Sequence, residues 1–379
     1  MKIVLSVFLF IFSIFLCSCQ LESNHIDTNF INNDLFTTQQ YSIPLDSLTG
    51  FESECIQYSK NTSGKQLLFF YKNGNKINFY DFEEKKLIKT VSFAKEGPNG
   101  VGTSISGFRW ISNSEIYLSS YWEHRIYLVD AKGNVKKKFD IKDDGSLKFP
   151  IIDPNNNRPI IKAGNNLILA GTLYKTLPRN KVGKPFVALN LKEGTSKLVG
   201  KYPEKIFKGD WDIKDETFFD FDELSNKFIV AFAISDSVMI TDLKGSSKTE
   251  HYLAKSSFLK EIKPLNSNYD YEPSNSDEAN EYILSGTYWS IKYDQFQKVY
   301  YRFGILPRTL EDFQAAKNPK FFISVFDKNF KPLGESLLPE GLFPPMATVT
   351  PIGLLIPNKK AYDKQDDFLS FDVLTLKKK

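Results

Sequence analysis

The chain has 379 residues, 41% of them hydrophobic, with 33 Phe and 18 Tyr and a formal net charge of +4. That apolar content is ample for a large core, and Phe and Tyr with the many Ile and Val favour strands over helices. Lys and Arg are interspersed with Asp and Glu, which excludes a nucleic-acid-binding tract.

The amino terminus reads as an address. Lys2 supplies a positive charge, and Ile3 to Leu16 form an apolar run broken only by Ser6 and Ser13. Such a run is too short for a comfortable membrane-spanning helix and fits a secretory signal. It ends in Leu16-Cys17-Ser18-Cys19, which resembles a bacterial lipobox. Leu16 stands three residues before Cys19 and small Ser18 directly before it, whereas bulky Leu16 directly before Cys17 disfavours acylation there. The expectation is a lipoprotein signal over 1–18, lipidation at Cys19, and a polar tether over 19–36 that joins lipid to a domain over 37–379. Cys55 is then the one remaining thiol. Its strand-like setting, Cys55-Ile-Gln-Tyr58, predicts a buried structural residue.

Beyond the tether, Thr37–Leu45 reads as a strand, and Pro44 within it argues for a sheet edge. Six versions of one phrase follow, each an apolar strand closed by Asp or Asn. They are Ile77-Asn-Phe-Tyr-Asp81, Ile126-Tyr-Leu-Val-Asp130, Phe186-Val-Ala-Leu-Asn190, Val238-Met-Ile-Thr-Asp242, Ile323-Ser-Val-Phe-Asp327 and Phe368-Leu-Ser-Phe-Asp372. Each fits as the third strand of a four-stranded unit, strands a to d. The first unit has Cys55–Tyr58, Leu67–Tyr71, Ile77–Asp81 and Leu87–Phe93. The second has Ile105–Ile111, Ile116–Ser120, Ile126–Asp130 and Val135–Ile141. The third has Pro159–Lys162, Leu167–Leu173, Phe186–Leu191 and Lys197–Lys201. The fourth has Phe218–Asp222, Lys227–Ile234, Val238–Leu243 and Lys248–Leu253. The fifth has Tyr288–Tyr293, Lys298–Phe303, Phe321–Asp327 and Leu333–Leu337. The sixth offers only Ala347–Pro351, Leu354–Pro357 and Phe368–Leu374.

Repeated four-stranded units predict propeller blades. Middle strands apolar on both faces, such as Leu67-Leu-Phe-Phe70 and Ile229-Val-Ala-Phe232, agree, because blades bury both faces against neighbours. The expected fold is therefore all-β, a six-bladed β-propeller with four-stranded blades. Thr37–Leu45 is expected to supply the missing outer strand of the last blade and close the ring.

The a–b and c–d turns are short, with Gly164-Asn165, Lys132-Gly133 and Lys328-Asn329 at tight-hairpin positions. The b–c and d–a connections are long: Ala94–Ser104, Lys142–Arg158, Lys175–Pro185, Tyr202–Thr217, Ala254–Thr287, Gly304–Lys320 and Asn358–Asp367. In a propeller these two connection types emerge on one face, so that face is expected to carry recognition. Two insertions look partly helical, Thr309-Leu-Glu-Asp312 with capping-box form and Ser274 to Leu284.

Chemistry-bearing motifs are sparse. Glu96-Gly-Pro-Asn-Gly-Val-Gly102 lacks the Lys-Ser/Thr of a P-loop and reads as a tight turn. Asp153-Pro-Asn-Asn-Asn157 reads as an Asx-rich turn, since Arg158 and Gly164 stand where a calcium loop needs Gly and a carboxylate. Three His, of which His25 lies in the tether, do not form a metal set, and no Gly-x-Ser-x-Gly elbow occurs. No catalytic residue, metal or cofactor is expected. Candidate ligand-binding residues at the decorated mouth are Trp122, His124, Tyr174, Trp211, Tyr288 and Trp289, with Arg109, Arg125, Arg158, Arg179 and Arg308. Aromatic platforms bind sugar rings or peptide side chains, and Arg forks bind carboxylates or phosphates.

The lipobox, the six units closed by Asp or Asn and the turn Lys95-Glu-Gly-Pro-Asn-Gly100 together resemble the six-bladed, TolB-like propeller lipoproteins of Bacteroidota, in particular domain of unknown function 4221. The resemblance implies an exported, membrane-anchored propeller acting as a binding part of envelope systems. The expectation is a monomeric propeller held in the cell envelope through acylated Cys19, on the periplasmic or surface side of the outer membrane. Its partner is expected to be a glycan, a peptide or an envelope protein, and not nucleic acid. The alternative is a propeller enzyme, lactonase-, hydrolase- or lyase-like, with its site at the channel mouth.

Overall fold

The computed structural model describes residues 34–377 apart from 47–48, 52, 54, 62–63, 143–148, 173–182, 212–213, 244–248 and 269–284. The expected signal, lipidation site and most of the tether lie outside the described residues, as does the Ser274–Leu284 helix. The chain enters with β1 (Phe36–Pro44). Blade 1 is β2 (Cys55–Asn61), β3 (Gly64–Tyr71), β4 (Lys76–Asp81) and β5 (Leu87–Ser92). Blade 2 is β6 (Ile105–Ser112), β7 (Glu115–Ser120), β8 (Arg125–Val129) and β9 (Val135–Asp140). Blade 3 has β10 (Ile151–Ile152) and β11 (Ile161–Ala163) end to end along one edge of β12 (Asn166–Thr172), then β13 (Phe186–Asn190) and β14 (Ser196–Val199). Blade 4 is β15 (Thr217–Asp222), β16 (Lys227–Phe232), β17 (Ser237–Thr241) and β18 (Glu250–Leu253). Blade 5 is β19 (Thr287–Asp294), β20 (Val299–Ile305), β21 (Phe321–Asp327) and β22 (Pro332–Leu337). Blade 6 is β23 (Thr348–Thr350), β24 (Gly353–Pro357) and β25 (Phe368–Leu376), completed on its outside by β1.

This is the six-bladed propeller that the repeat predicts, with its ring closed by the expected strand. β1 pairs antiparallel with β25 from Phe36↔Leu376 to Pro44↔Phe368, starting one residue before the predicted boundary. The Asp or Asn that closes each repeated phrase has a local task. Asp81, Asp130, Asn190 and Asp327 each accept two backbone N–H bonds from the c–d turn that follows. An Asx side chain there folds the turn by replacing a backbone acceptor. Asp372 has no c–d turn to fold, because its blade ends in β1, and it accepts from Asn358 Nδ2 at 3.0 Å.

Burial explains why the middle strands are apolar throughout. Every residue of β20 and of β24 is buried. One cluster of buried side chains fills each seam between blades. Phe70 and Phe79 of blade 1, for example, meet Phe108, Trp110 and Leu118 of blade 2, and Tyr41, Phe371 and Phe69 join blade 6 to blade 1. Burying such rings contributes roughly 1.5–3 kcal/mol per side chain. One seam also carries a fully buried cation. Arg302 on β20 donates to the carbonyls of Ala254 (2.6 Å) and Ser235 and lies over the Tyr288 ring, 3.3 Å from its centroid. It fastens blade 5 to the end of blade 4.

The predicted capping box at Thr309 forms, with Thr309 Oγ1 accepting from the Asp312 N–H at 3.0 Å. Its helix is short, Leu310–Gln314, and ends before Asn318. The Gly-rich turn after blade 1 closes through Gly100 N–H to Gly97 O and Val101 N–H to Ala94 O. No helix among the described residues is long and apolar enough to cross a membrane.

Candidate functional site

The inner strand of blade 3 departs from the expected Pro159–Lys162. It pairs at Ile151–Ile152, leaves the sheet, and returns at Ile161–Ala163. The excursion between them is the Asn-rich segment, and it crosses the axial channel as a plug. Asn155 Oδ1 accepts from the N–H groups of Asn157 and Arg158, so the expected Asx turn forms and makes the tip compact. Asn156 then reaches three blades. Its Oδ1 accepts from Ile56 N–H of blade 1 at 2.6 Å, its Nδ2 donates to Ala347 O beside blade 6 at 3.5 Å, and its carbonyl accepts from Lys292 of blade 5. Blade 4 donates Phe219 N–H to Asn157 O at 3.2 Å. Blade 2 makes room, since the Pro154 carbonyl lies 2.5 Å from where a Cβ on Gly107 would stand. Polar backbone can occupy a protein axis only if its groups are satisfied there, and four neighbouring blades do so.

The plug divides the channel into two cavities, and Asn155 lines both. On the decorated face lies a cup of about 300 Å³, lined by Asn157, Arg158, Glu216, Phe218, Trp289 and Met346, among others. Arg158 is 5% exposed and spans Glu216 (3.1 Å) and Asp153 (3.3 Å), while its Nε and Asn157 Oδ1 are buried without a partner. Trp289 reaches the cup because β19 bulges there. Tyr288 pairs with Gly304 and Ser290 with Phe303, so Trp289 is the extra residue that a bulge re-aims.

On the opposite, short-turn face lies a second cavity of about 190 Å³, walled by the inner strands. Arg109 of β6, Asp220 of β15 and Lys292 of β19 meet there below a lip that holds Glu223. Arg109 contacts Glu223 at 3.3 Å, and Asp220 accepts Tyr293 N–H at 2.8 Å. Burial pushes the Asp220 carboxyl up, against the pull of Lys292. Burial pushes the Lys292 ammonium down, against Asp220, and lowers Arg109 against Glu223 and Asp220. Cys55 is buried in this wall, with its thiol 3.8 Å from Pro154 O. Among the described residues no three His, Cys, Asp or Glu side chains form a metal-holding group.

The sequence-predicted site residues separate. Trp289 and Arg158 line the decorated cup. Arg109 opens to the opposite cavity instead, because its side chain slopes toward the a–b turns. Trp122 projects from the b–c turn of blade 2 at 76% exposure, edge-on to Tyr121. His124 shares that turn with positive φ, and Arg125 is held by Asp140 and Glu123. Trp211 and Tyr288 pack in the core instead of facing a ligand: Trp211 Nε1 donates to Lys205 O, and the Tyr288 hydroxyl donates to Asp236 at 2.6 Å. Arg308 lies beside its helix, donating to Lys317 O and facing Phe313. Tyr174 and Arg179 fall outside the described residues. Sequence reasoning missed Asp220 and Lys292. The available signal was one charge set in the middle of each apolar inner strand, as in Phe219-Asp-Phe221 and Ile291-Lys-Tyr293.

Comparison with known proteins bears on the whole chain. Residues 27–337 match the family model described as domain of unknown function 4221. The chain belongs to that family. A crystal structure of a member of it from Bacteroides vulgatus is similar at 22% identity and a TM-score of 0.78, covering 92% of this chain and 100% of that one. A putative exported protein from Bacteroides fragilis is similar at 10% identity and a TM-score of 0.60, covering 93% of this chain and 98% of that one. At these identities the likeness establishes the fold alone. No curated protein matches the chain.

Proposed function

We propose that this propeller is an exported, lipid-anchored binding protein of the cell envelope that holds a glycan or peptide partner at its decorated face. The observation that carries the reading is the cup. The plug closes its floor, so the channel is a blind recess that a ligand enters and leaves by one mouth. Trp289, re-aimed into that recess by a bulge, offers an aromatic face, while Arg158, Glu216 and Asn157 offer fixed polar groups. Exposed Trp122 on the same side extends the aromatic surface outward. The lipobox-like sequence at Cys19, together with the exported description of the Bacteroides fragilis relative, supports the address.

The test is a glycan and peptide binding screen with the lipidated protein, followed by Trp289→Ala and Trp122→Ala. Loss of the aromatic face at the recess should weaken the ligand found by about tenfold or more, as expected for removal of an aromatic anchor. Cys19→Ala should release the protein into the soluble fraction with binding unchanged. Unchanged affinity in both Trp variants would refute the site, and a soluble wild type would refute the anchor.

A further inference from the structure

A third cavity lies outside the channel, between the outer halves of blades 3 and 4, and measures about 840 Å³. Strand register decides which side chains face it, because directly opposed residues of an antiparallel pair share one face of the sheet. On blade 3, Val199 stands opposite Phe186 and Lys197 opposite Ala188, and Phe186 and Ala188 belong to the buried cluster of this seam. On blade 4, Met239 stands between Val230 and His251, and Thr241 opposite Phe228, with Val230 and Phe228 in that same cluster. Val199 and Lys197 of one blade therefore look across at Met239, Thr241 and His251 of the next.

These residues explain why the seam is open. Other seams are closed at this radius by an aromatic ring. Tyr127, opposite Leu118 on β7 as Met239 is opposite Val230 on β16, fills the seam of blades 1 and 2. Phe139 fills the next, Tyr252 stacks on Phe330 between blades 4 and 5, and Tyr41 stacks on Phe82 between blades 6 and 1. Between blades 3 and 4 slender side chains take that place, and Met239 stays half-buried. The resulting groove follows β17 from Ser237 to Thr241, roughly 13 Å at about 3.3 Å per residue. Its floor is apolar, formed by Phe186, Phe232, Met239 and Leu243. Its rim is basic. Lys184, Lys197 and Lys201 line it against one carboxylate, Glu204, and none of the three is ion-paired among the described residues. The volume falls within the roughly 300–1,000 Å³ of small-molecule sites. An apolar trough with unpaired ammonium groups on its rim matches a molecule that joins an anionic head to an apolar chain.

We infer that this groove binds an anionic single-chain amphiphile, a fatty acid or an alkyl phosphate, at a site separate from the decorated cup. The chain lies along β17 over Phe186, Phe232 and Met239. The head meets Lys184 and Lys201, which precede β13 and follow β14 and so stand together at the decorated end of the groove.

The experiment is calorimetric titration of the full chain carrying Cys19→Ala, which needs no detergent, with probes kept below their micelle concentrations. Octanoate, decanoate, dodecanoate and decyl phosphate form the anionic set, with acetate and decyltrimethylammonium as controls. Decanoate or decyl phosphate should bind saturably with Kd in the micromolar range, and the tighter of the two identifies the head group. Affinity should rise about three- to fourfold per added methylene from octanoate to dodecanoate, since each enters the groove. The two controls should not bind. Met239→Tyr, which gives this seam the ring that blade 2 already carries, should abolish binding without lowering the melting temperature. Lys184→Glu combined with Lys201→Glu, at two exposed positions, should weaken binding by about fivefold or more. Trp289→Ala should leave it unchanged, so that failure at the cup and failure here are told apart. The inference is overturned if no anionic probe binds at about 1 mM, if affinity ignores chain length, or if decyltrimethylammonium binds as tightly as decanoate. Wild-type affinity in both the Met239 and the lysine variants would overturn it equally.

Discussion

Asp130 and Asp220 are the same residue type in one fold, yet their titrations act on stability with opposite signs. The Lys136 ammonium beside Asp130, with the Asn134 side chain and turn N–H groups, holds that carboxyl well below the usual carboxylate range. Its stabilisation is present at neutral pH and is lost as pH falls from the unfolded value toward the depressed folded one. Burial moves Asp220 the other way. Between its unfolded pKa and the raised folded value the folded state keeps a proton that the unfolded state has lost, so stability falls as pH rises through that window. Asp220→Asn removes this dependence. The stability of the variant minus that of wild type should therefore grow as pH is raised from about 4 toward neutrality, which urea unfolding at several pH values would measure. A flat difference would contradict the burial assigned to Asp220. The role of Asp130 was readable in the sequence, since Asp-x-x-Gly-Asn after an apolar strand, here Asp130 to Asn134, is a local turn signal. The depth of Asp220 was not, because it depends on five other blades meeting at the axis.

At the scale of elements, the plug shows where local reading stops. Asp153–Asn157 announces an Asx-rich turn, and the turn forms; nothing within those residues says that the turn inserts into a channel. The bulge that aims Trp289 was equally silent, since Tyr288-Trp-Ser-Ile reads as ordinary strand. By contrast the blade strands were legible because each carries its own signals: doubly buried apolar runs, an Asx at the close, and Gly or Asn in the turn. The seat of the plug yields a sharp prediction. Gly107→Ala would place a methyl group against the Pro154 carbonyl, a backbone atom that cannot step aside cheaply. We expect a loss of about 2–4 kcal/mol, measurable as a lower urea midpoint with the slope unchanged. Exposed Gly164→Ala offers the comparison, because its Cβ would meet no neighbour and only its positive φ resists. A Gly107 variant no worse than the Gly164 one would mean that the plug adapts.

For the whole molecule, the nine-residue pairing of β1 with β25 makes one closed ring from six similar units. Removing β1 by truncation to Ser47 should strip the outer strand from blade 6 and uncover Phe371 and Leu374, which β1 helps to bury. A melting temperature lower by roughly 10 °C or more is expected, since a loss of 1 kcal/mol already shifts a protein of this size by a few degrees. Thermal unfolding of the two forms would measure it, and equal melting temperatures would show that the ring needs no such clasp. The plug carries a different consequence, one of chronology. Its residues leave the ribosome before blades 4, 5 and 6 exist in the growing fold, yet Phe219, Lys292 and Ala347 from those parts satisfy its polar groups. Until they arrive, the Asn side chains must stay hydrated, and contacts so distant in sequence form slowly. Seating of the plug is thus a late event in maturation, and the two cavities it separates come into being together, only once the last blade is in place.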